Sequence, residues 1–290
     1  MKEGSRIRIL RFLTIVMVIG YAAACGSSKS YTTHTYIVGE WPVGIAIDGS
    51  GNIWVTSSHD NTVTKLSPTG ETIGEYNTAG ETPFGIAIDS AGNVWIANHN
   101  IILGSGTFNV TELSSSGVTI GTYPVCREPA YIKIDASGNV WVLCSNGPLF
   151  KLSPIGSLVK IYTISHPPTD LAIDASGNAW ITNINDNTVT ELSSTGVTIG
   201  TYGVGRYPTG IAIDSKGNVW VAGSGSNSLT ELSSTGVTIG TYGVGIAPGA
   251  IAIDSKGNVW VANYGSNTVT ELVGVAKGPQ YWPYKGPVWP

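Results

Sequence analysis

The sequence has little charge, few cysteines and no sign of long helices. Only 12% of its 290 residues are charged, and it has 3 Cys, 2 Met and 4 Phe. No long apolar stripe with a period of 3.6 residues follows residue 25, which argues against helical bundles and helical repeats. A Walker loop, a G-x-S-x-G elbow and an H-E-x-x-H motif are also absent, so nucleotide-binding, α/β-hydrolase and zinc-peptidase chemistry have no support.

The first 24 residues differ in kind from the rest. "MKEGSRIRILR" carries four basic residues, and "FLTIVMVIGYAAA" is apolar but too short for a comfortable membrane span. This order is typical of an export signal. The ending "AAAC" resembles a bacterial lipobox, in which the cysteine, here Cys25, is acylated and becomes the N-terminus. The alternative is an ordinary signal peptide cut near Ala24. We expect an exported lipoprotein, periplasmic or on the cell surface, with a signal peptide over 1–24, a lipidated linker over 25–30 and Cys25 in the membrane.

Basic residues are scarce in the remainder of the chain. Without the four basic residues and one acid of the signal, 11 of 15 basic and 18 of 19 acidic side chains remain, a net charge of −7. No Lys/Arg cluster survives, and phosphate binding needs one. We therefore expect no nucleic-acid partner.

Glycine and repetition are abundant. The chain has 38 Gly, and "TELSSTGVTIGTYGVG" stands both at 190–205 and at 230–245. A longer phrase of the type P-x-G-I-A-I-D-S-x-G-N-V-W-V-A-N occurs six times, about 40 residues apart, and each unit holds four strand-like segments, A to D. Such a period is typical of propeller blades. The sequence predicts an all-β, six-bladed β-propeller of four-stranded blades over 31–278 and a Pro/Trp-rich tail over 279–290.

The two ends of the repeat region predict how the ring closes. After Leu272 the last unit does not continue into a strand D phrase. Before the first unit, however, "YTTHTYIVGEWP" (31–42) matches the strand D phrase "TIGTYGVGRYP". We expect this N-terminal strand to complete the sixth blade, which would leave no open sheet edge.

The phrases "PTGIAIDSKGNVWVA" (208–222) and "NTVTEL" (187–192 and 267–272) resemble those of NHL-repeat propellers and of the streptogramin (virginiamycin B) lyase-like group. The resemblance covers roughly residues 31–272 and implies the six-bladed fold. It further implies an activity at the central channel, where these lyases place histidines, an acid and a magnesium ion. In this sequence no unit has a histidine at the start of strand A.

Two repeated residue types are expected to be structural. The six aspartates lie in A–B turns of the form D-x-x-G-N, where Asp binds the backbone two residues on. One carboxylate per turn also falls short of the six to eight oxygens that calcium requires. The six tryptophans share one place in strand B and are expected in the core. These residues are Asp48, Asp89, Asp135, Asp174, Asp214 and Asp254, and Trp54, Trp95, Trp141, Trp180, Trp220 and Trp260.

Cys126 precedes strand A of the third blade, and Cys144 ends strand B of the same blade. Because the two strands are antiparallel, these ends lie side by side. The pair is either a disulfide, which an exported protein permits, or two separate buried thiols.

The working surface is expected where the repeats differ from one another. The A–B and C–D turns barely change, whereas the D–A and B–C loops vary, and the blade topology places both loop types on one face. Variable loops on a fixed frame are how binding sites are built. The predicted binding residues are Trp41, His59, His99, Arg127, Glu128, Asp170, Arg206, Tyr207 and Tyr264.

Two functions from different classes follow. The preferred hypothesis is a monomeric, non-enzymatic binding module that needs no cofactor or metal and holds a protein, peptide or glycan. The alternative is a lyase or lactonase-type hydrolase that uses a divalent cation in the channel, with His99 and His166 as catalytic candidates.

Overall fold

Each repeat of about forty residues folds into one antiparallel sheet, and six such sheets form the molecule. The computed structural model describes residues 36–99, 108–145, 147–164, 167–254, 257–266 and 268–276. Val, Ile, Thr and aromatic residues form the strands, and Gly and Asp form the turns between them. The predicted six-bladed β-propeller is confirmed.

The sheets are blades one to six in chain order, and the described residues contain 23 strands. Blades one and two contain β1 (Pro42–Ile47), β2 (Ile53–Ser57), β3 (Thr62–Leu66), β4 (Thr72–Asn77), β5 (Pro83–Ile88), β6 (Val94–Asn98), β7 (Asn109–Leu113) and β8 (Thr119–Pro124). Blades three and four contain β9 (Pro129–Ile134), β10 (Val140–Cys144), β11 (Leu149–Leu152), β12 (Leu158–Tyr162), β13 (Pro168–Ile173), β14 (Ala179–Asn183), β15 (Thr188–Leu192) and β16 (Thr198–Gly203). Blades five and six contain β17 (Pro208–Ile213), β18 (Val219–Gly223), β19 (Ser228–Leu232), β20 (Thr238–Gly243), β21 (Pro248–Ile253), β22 (Val259–Asn263) and β23 (Thr268–Leu272).

The sixth sheet has three strands within the described part of the chain. Residues 31–35 of the segment predicted as its fourth strand (31–42) lie outside that part, and residues 36–41 are not in a strand. Tyr36 nevertheless packs on Gly70 of blade one as Tyr76 packs on Gly117 of blade two: a Cβ on either glycine would overlap the tyrosine ring. Tyr36 thus occupies the place that a strand D tyrosine takes against the next blade.

A tryptophan and an aspartate tie each blade together. The indole Nε1 of Trp95 donates to Asp89 Oδ2 at 3.1 Å, and equivalent bonds of 3.0–3.4 Å occur in all six blades. Oδ1 of the same carboxylate accepts two backbone N–H groups of the turn, at 2.9 and 2.8 Å in blade two. The aspartate and the tryptophan therefore have the structural roles that the sequence predicts, in the turn and in the core. Five of the tryptophans are fully buried, and Trp260 of blade six is half-buried.

In blades one to five, one buried position of the third strand holds a charged residue of either sign. Glu112 is buried and accepts Tyr123 Oη at 2.6 Å and Asn93 Nδ2 at 3.1 Å. At the same place, the Nζ atom of Lys151 lies 3.3 Å from Asp135 Oδ2. The position is therefore bridged in both cases, which is what a buried charge requires.

The first strands of neighbouring blades lie side by side around the central channel. A cavity of about 430 Å³ occupies this channel. No helix among the described residues is long and apolar enough to cross a membrane.

Candidate functional site

The D–A and B–C loops lie together at one end of the propeller. The backbone N–H of Ser58, in a B–C loop, donates to the carbonyl of Trp41, in a D–A loop, at 3.0 Å. The same bond joins Ser145 to Glu128 and Tyr264 to Ala247, each at 3.0 Å. The loops that vary in sequence therefore form one surface, which we call the variable face.

A recurring backbone feature shapes this face. The residue before the proline of the first strand has a positive φ in five blades, although none of the five is glycine. These residues are Trp41 (55°), Thr82 (54°), Glu128 (55°), Tyr207 (52°) and Ala247 (50°). A positive φ is an outlier for a bulky side chain. The frame holds it in place: the Oδ1 atom of Asn187, in the preceding blade, accepts the N–H of Tyr207 at 2.8 Å.

Aromatic side chains stand out from this face. Trp41 is 59% exposed, Tyr207 46% and Tyr264 87%. The guanidinium of Arg206 lies 5.5 Å from the ring centroid of Tyr207, and that of Arg127 lies 5.5 Å from that of Phe108. Trp41 packs against His59 with ring centroids 5.1 Å apart. The predicted binding residues thus form several separate aromatic and cationic positions.

The channel has one chemically distinct sector, in blades three and four. Alanines of the first strands line it in four blades, and blade three places Lys133 at the same position. The alanines are Ala87, Ala172, Ala212 and Ala252. Lys133 is the one charged residue among those that line the cavity in the described chain. Sequence reasoning missed it, although comparison of the six corresponding segments, four of which read Ile-Ala-Ile, would have found it.

Asp170 lies beside this lysine. It stands where Gly44, Gly85 and Gly210 stand in other blades. Its Oδ1 accepts the backbone N–H of Leu171 at 2.8 Å, and its Oδ2 accepts that of Ile211 in blade five at 3.3 Å. Burial raises the pKa of Asp170, and the ammonium of Lys133 opposes that shift.

Tyr131 joins Asp170 to the mouth of the channel. Burial, and then the nearby Asp170 carboxylate, raise the pKa of Tyr131. Its ring meets Phe84 edge-on at 6.1 Å, and Phe84 in turn packs against His99 at 5.4 Å. A continuous path of aromatic and ionisable side chains therefore leads from the variable face into the channel.

His99 is half-buried at the outer end of this path. Its Nε2 lies 3.0 Å from Ser145 Oγ of the next blade. Burial lowers the pKa of His99, and the Glu128 carboxylate acts in the opposite direction. The structure thus brings His99 and Glu128 together as neighbours of blades two and three. The second unit differs from the others by a longer B–C segment, an insertion over 98–109 that reads "NHNIILGSGTFN". His166, the other catalytic candidate, lies outside the described residues, as do Cys25 and most of this insertion.

The channel residues do not fit a magnesium ion. Magnesium needs near-octahedral oxygen coordination, which carboxylates and waters usually supply. Here the described channel offers the carboxylate of Asp170, both oxygens of which already accept backbone N–H groups, and the cation Lys133 stands beside it. No chemical step through such an ion follows from this geometry.

Cys126 and Cys144 are joined in a disulfide, with Cα atoms 6.2 Å apart. That separation lies within the usual range for a disulfide. The bond links the D–A loop before β9 to the end of β10, beside Arg127 and Glu128. It therefore fixes the loop that carries two predicted binding residues.

Solved structures resemble this architecture closely, whereas no family model and no curated protein matches the sequence. A streptogramin B lyase superposes with a TM-score of 0.70 and 21% identity, over 81% of this chain and 83% of its own. A catalytically inactive virginiamycin B lyase from Staphylococcus aureus, solved with quinupristin, gives 0.71 and 17%, over 84% and 85%. The chain has the fold of the streptogramin B lyases. A gluconolactonase-like protein also matches, with a TM-score of 0.59 and 15% identity, over 84% of this chain and 91% of its own.

Sequence identities this low establish a shared fold only, so an activity has to be argued from the residues of the site. The propeller described here has an aromatic variable face, and one sector beside its channel holds Asp170, Lys133 and Tyr131.

Proposed function

We propose that the chain is a binding module of the cell envelope, which holds a peptide, glycan or protein on its variable face. One observation carries the proposal. A single backbone position, held at positive φ in five blades, presents a different side chain each time, from Trp41 and Glu128 to Tyr207 and Ala247. A fixed frame with exchangeable side chains is the arrangement of loop-borne binding sites.

The exposed side chains favour binding over catalysis. Trp, Tyr and Arg dominate binding hot spots, and Trp41, Tyr207 and Arg127 lie on this face. Backbone strain at such positions is typical of ligand clamps. The ligand would contact several blades at once, because these residues belong to blades one, three and five.

The proposal is tested with substitutions on the two faces. Trp41→Ala, Arg127→Ala and Tyr207→Ala should leave the fold intact, because Ala247 already occupies the position of Trp41 and Tyr207. Each should weaken binding to a ligand found on an array of envelope glycans and peptides by about tenfold or more. Lys216→Ala, in the exposed turn between β17 and β18, is the matched control. Loss of binding in the control but not in the three variants would contradict the proposal.

We further propose that the chain is exported and anchored through Cys25. The basic and apolar leader supports this, and so does the disulfide, since disulfides persist in oxidising compartments. Intact-mass measurement of the mature protein should find residues 1–24 absent and acyl chains on Cys25. An unmodified N-terminus at any other residue would rule out the lipid anchor.

A second candidate function is the lyase or lactonase-type hydrolase. The buried Asp170 with its raised pKa, and His99 at the channel mouth, favour it, because perturbed acids cluster at active sites. A catalytic divalent cation in the channel belongs to this alternative alone. If a chelator and His99→Ala both abolish a measured activity on a streptogramin or a lactone, the enzyme replaces the binding module.

A further inference from the structure

Glu40, His59 and Asp60 form a compact cluster on the variable face of blade one. The Nδ1 atom of His59 lies 3.1 Å from Glu40 Oε2 and 3.4 Å from Asp60 Oδ1. One ligand atom from each residue lies within 4.8 Å of the other two. The cluster lies far from the sector of Lys133 and Asp170, which belongs to blades three and four.

These separations match those of ligand atoms around a zinc ion. Ligand atoms at about 2.1 Å from zinc lie about 3.4 Å apart in a tetrahedron and about 3.0 Å apart in a site of higher coordination number. Histidine nitrogen and carboxylate oxygen are both zinc ligands. The imidazole nitrogen therefore lies at ligand spacing from each carboxylate, and the two carboxylate oxygens, within 4.8 Å of each other, would close on the same ion.

A buried hydroxyl beside the cluster lacks a partner. Ser57 is fully buried, and its Oγ makes no hydrogen bond within the described residues. A Cβ on Gly39 would lie 2.7 Å from this Oγ and 2.9 Å from Asp60 Oδ2, so both side chains pack closely against Gly39, the residue next to Glu40. An unsatisfied buried hydroxyl is costly, and the hydroxyls of Thr62 and Thr64 in the paired strand β3 lack partners in the described chain too, so the frame that carries the cluster has hydrogen-bonding groups left to satisfy.

Blade one alone carries this set of residues. At the three corresponding positions blade five has Arg206, Gly225 and Ser226, and blade six has Ile246, Gly265 and Ser266. The backbone is otherwise shared: Asp60 Oδ2 accepts the N–H of Glu40 as Ser266 Oγ accepts that of Ile246, the latter at 3.1 Å. A serine at the position of Asp60 is thus enough to make this loop hydrogen bond. The backbone structure does not require Glu40, His59 and Asp60 at these positions.

We propose that Glu40, His59 and Asp60 bind a divalent transition metal ion, with zinc as the test ion. Three protein ligands leave a fourth position for water or for a ligand group, beside the ring of Trp41. The site is independent of the proposed binding function and of the channel. It would tie the segment that enters blade one to the first B–C loop.

Zinc binding by the full chain tests the site, by competition with a chromophoric chelator and by the visible absorption of the cobalt-substituted protein. We expect one ion per chain for the parent protein. His59→Asn should weaken zinc binding by about tenfold or more. Asparagine is the residue that blade four has at this position, as Asn185. The triple variant Glu40→Ile, His59→Gly and Asp60→Ser, which copies blade six, should abolish it.

His99→Ser is the matched control, because Ser58, Ser145 and Ser224 stand at the position of His99 in other blades. This control should bind zinc as the parent does. Equal melting temperatures of parent and triple variant in chelator would show that the frame is intact. If the triple variant keeps the parent affinity, or if the parent binds no zinc, His59 forms only an ion pair with its acids and the proposal fails.

Discussion

At the scale of single residues, the repeated aspartate shows what a sequence can predict. Its place in a D-x-x-G-N turn predicts a structural role, and Asp89 Oδ1 indeed accepts two turn N–H groups. Local spacing could not predict that Oδ2 accepts the indole of Trp95 six residues on, because that bond depends on the geometry of two paired strands. Hydrogen bonds within a turn can be predicted from the sequence, whereas contacts across strands can be predicted only when the strand register is known.

Buried Tyr–Glu pairs make stability depend on alkaline pH. Burial, and then the bond to Glu112, raise the pKa of Tyr123 to about 12, and the bond to Glu231 and burial raise that of Tyr242 to about 12. An unfolded tyrosine titrates near pH 10. The native state therefore binds more protons between the two values, so this stabilisation is full below about pH 10 and is lost as pH rises towards 12.

Urea unfolding from pH 8 to pH 12 checks this dependence. Tyr123→Phe and Tyr242→Phe should each be less stable than the parent at pH 8, by about 1–2 kcal/mol, because a buried glutamate loses its partner. The difference should shrink as pH approaches 12. Tyr264→Phe, at a residue that is 87% exposed, should follow the parent throughout. A constant difference at all pH values would mean that the Tyr–Glu bonds carry no such titration.

At the scale of elements, most strands follow from the repeat phrase. The fifth unit, for example, predicts strands at 210–214, 218–222, 228–232 and 237–242, and the structure has Pro208–Ile213, Val219–Gly223, Ser228–Leu232 and Thr238–Gly243. The strained position before the proline was not predictable. Proline disfavours the α region for the preceding residue, and nothing in the local sequence indicates positive φ. A side chain of the neighbouring blade, such as Asn187, fixes that conformation.

At the scale of the whole molecule, the departures from the repeat gather in one sector. The insertion at 98–109, the disulfide Cys126–Cys144, Lys133 and Asp170 all belong to blades two to four. Internal comparison of the sequence finds these departures. That His99 meets Ser145, and that Asp170 meets the backbone of Ile211, depends on how closely neighbouring blades approach, which no single repeat reveals.

Ring closure is the property of the whole molecule that a truncation tests most directly. In the described chain the sixth sheet ends at β23 (Thr268–Leu272), and Trp260 is half-buried where the other five tryptophans are fully buried. Tyr36 packs on Gly70 of blade one as strand D tyrosines do elsewhere. Deletion of 31–38 should therefore lower the melting temperature more than deletion of 279–290, because only the first removes the Tyr36 contact and the segment that the sequence predicts as strand D of blade six. The prolines of the tail cannot donate to a strand ladder. Thermal unfolding of both truncations, followed by tryptophan fluorescence, measures the difference. Equal losses would place the closure of the ring elsewhere in the chain.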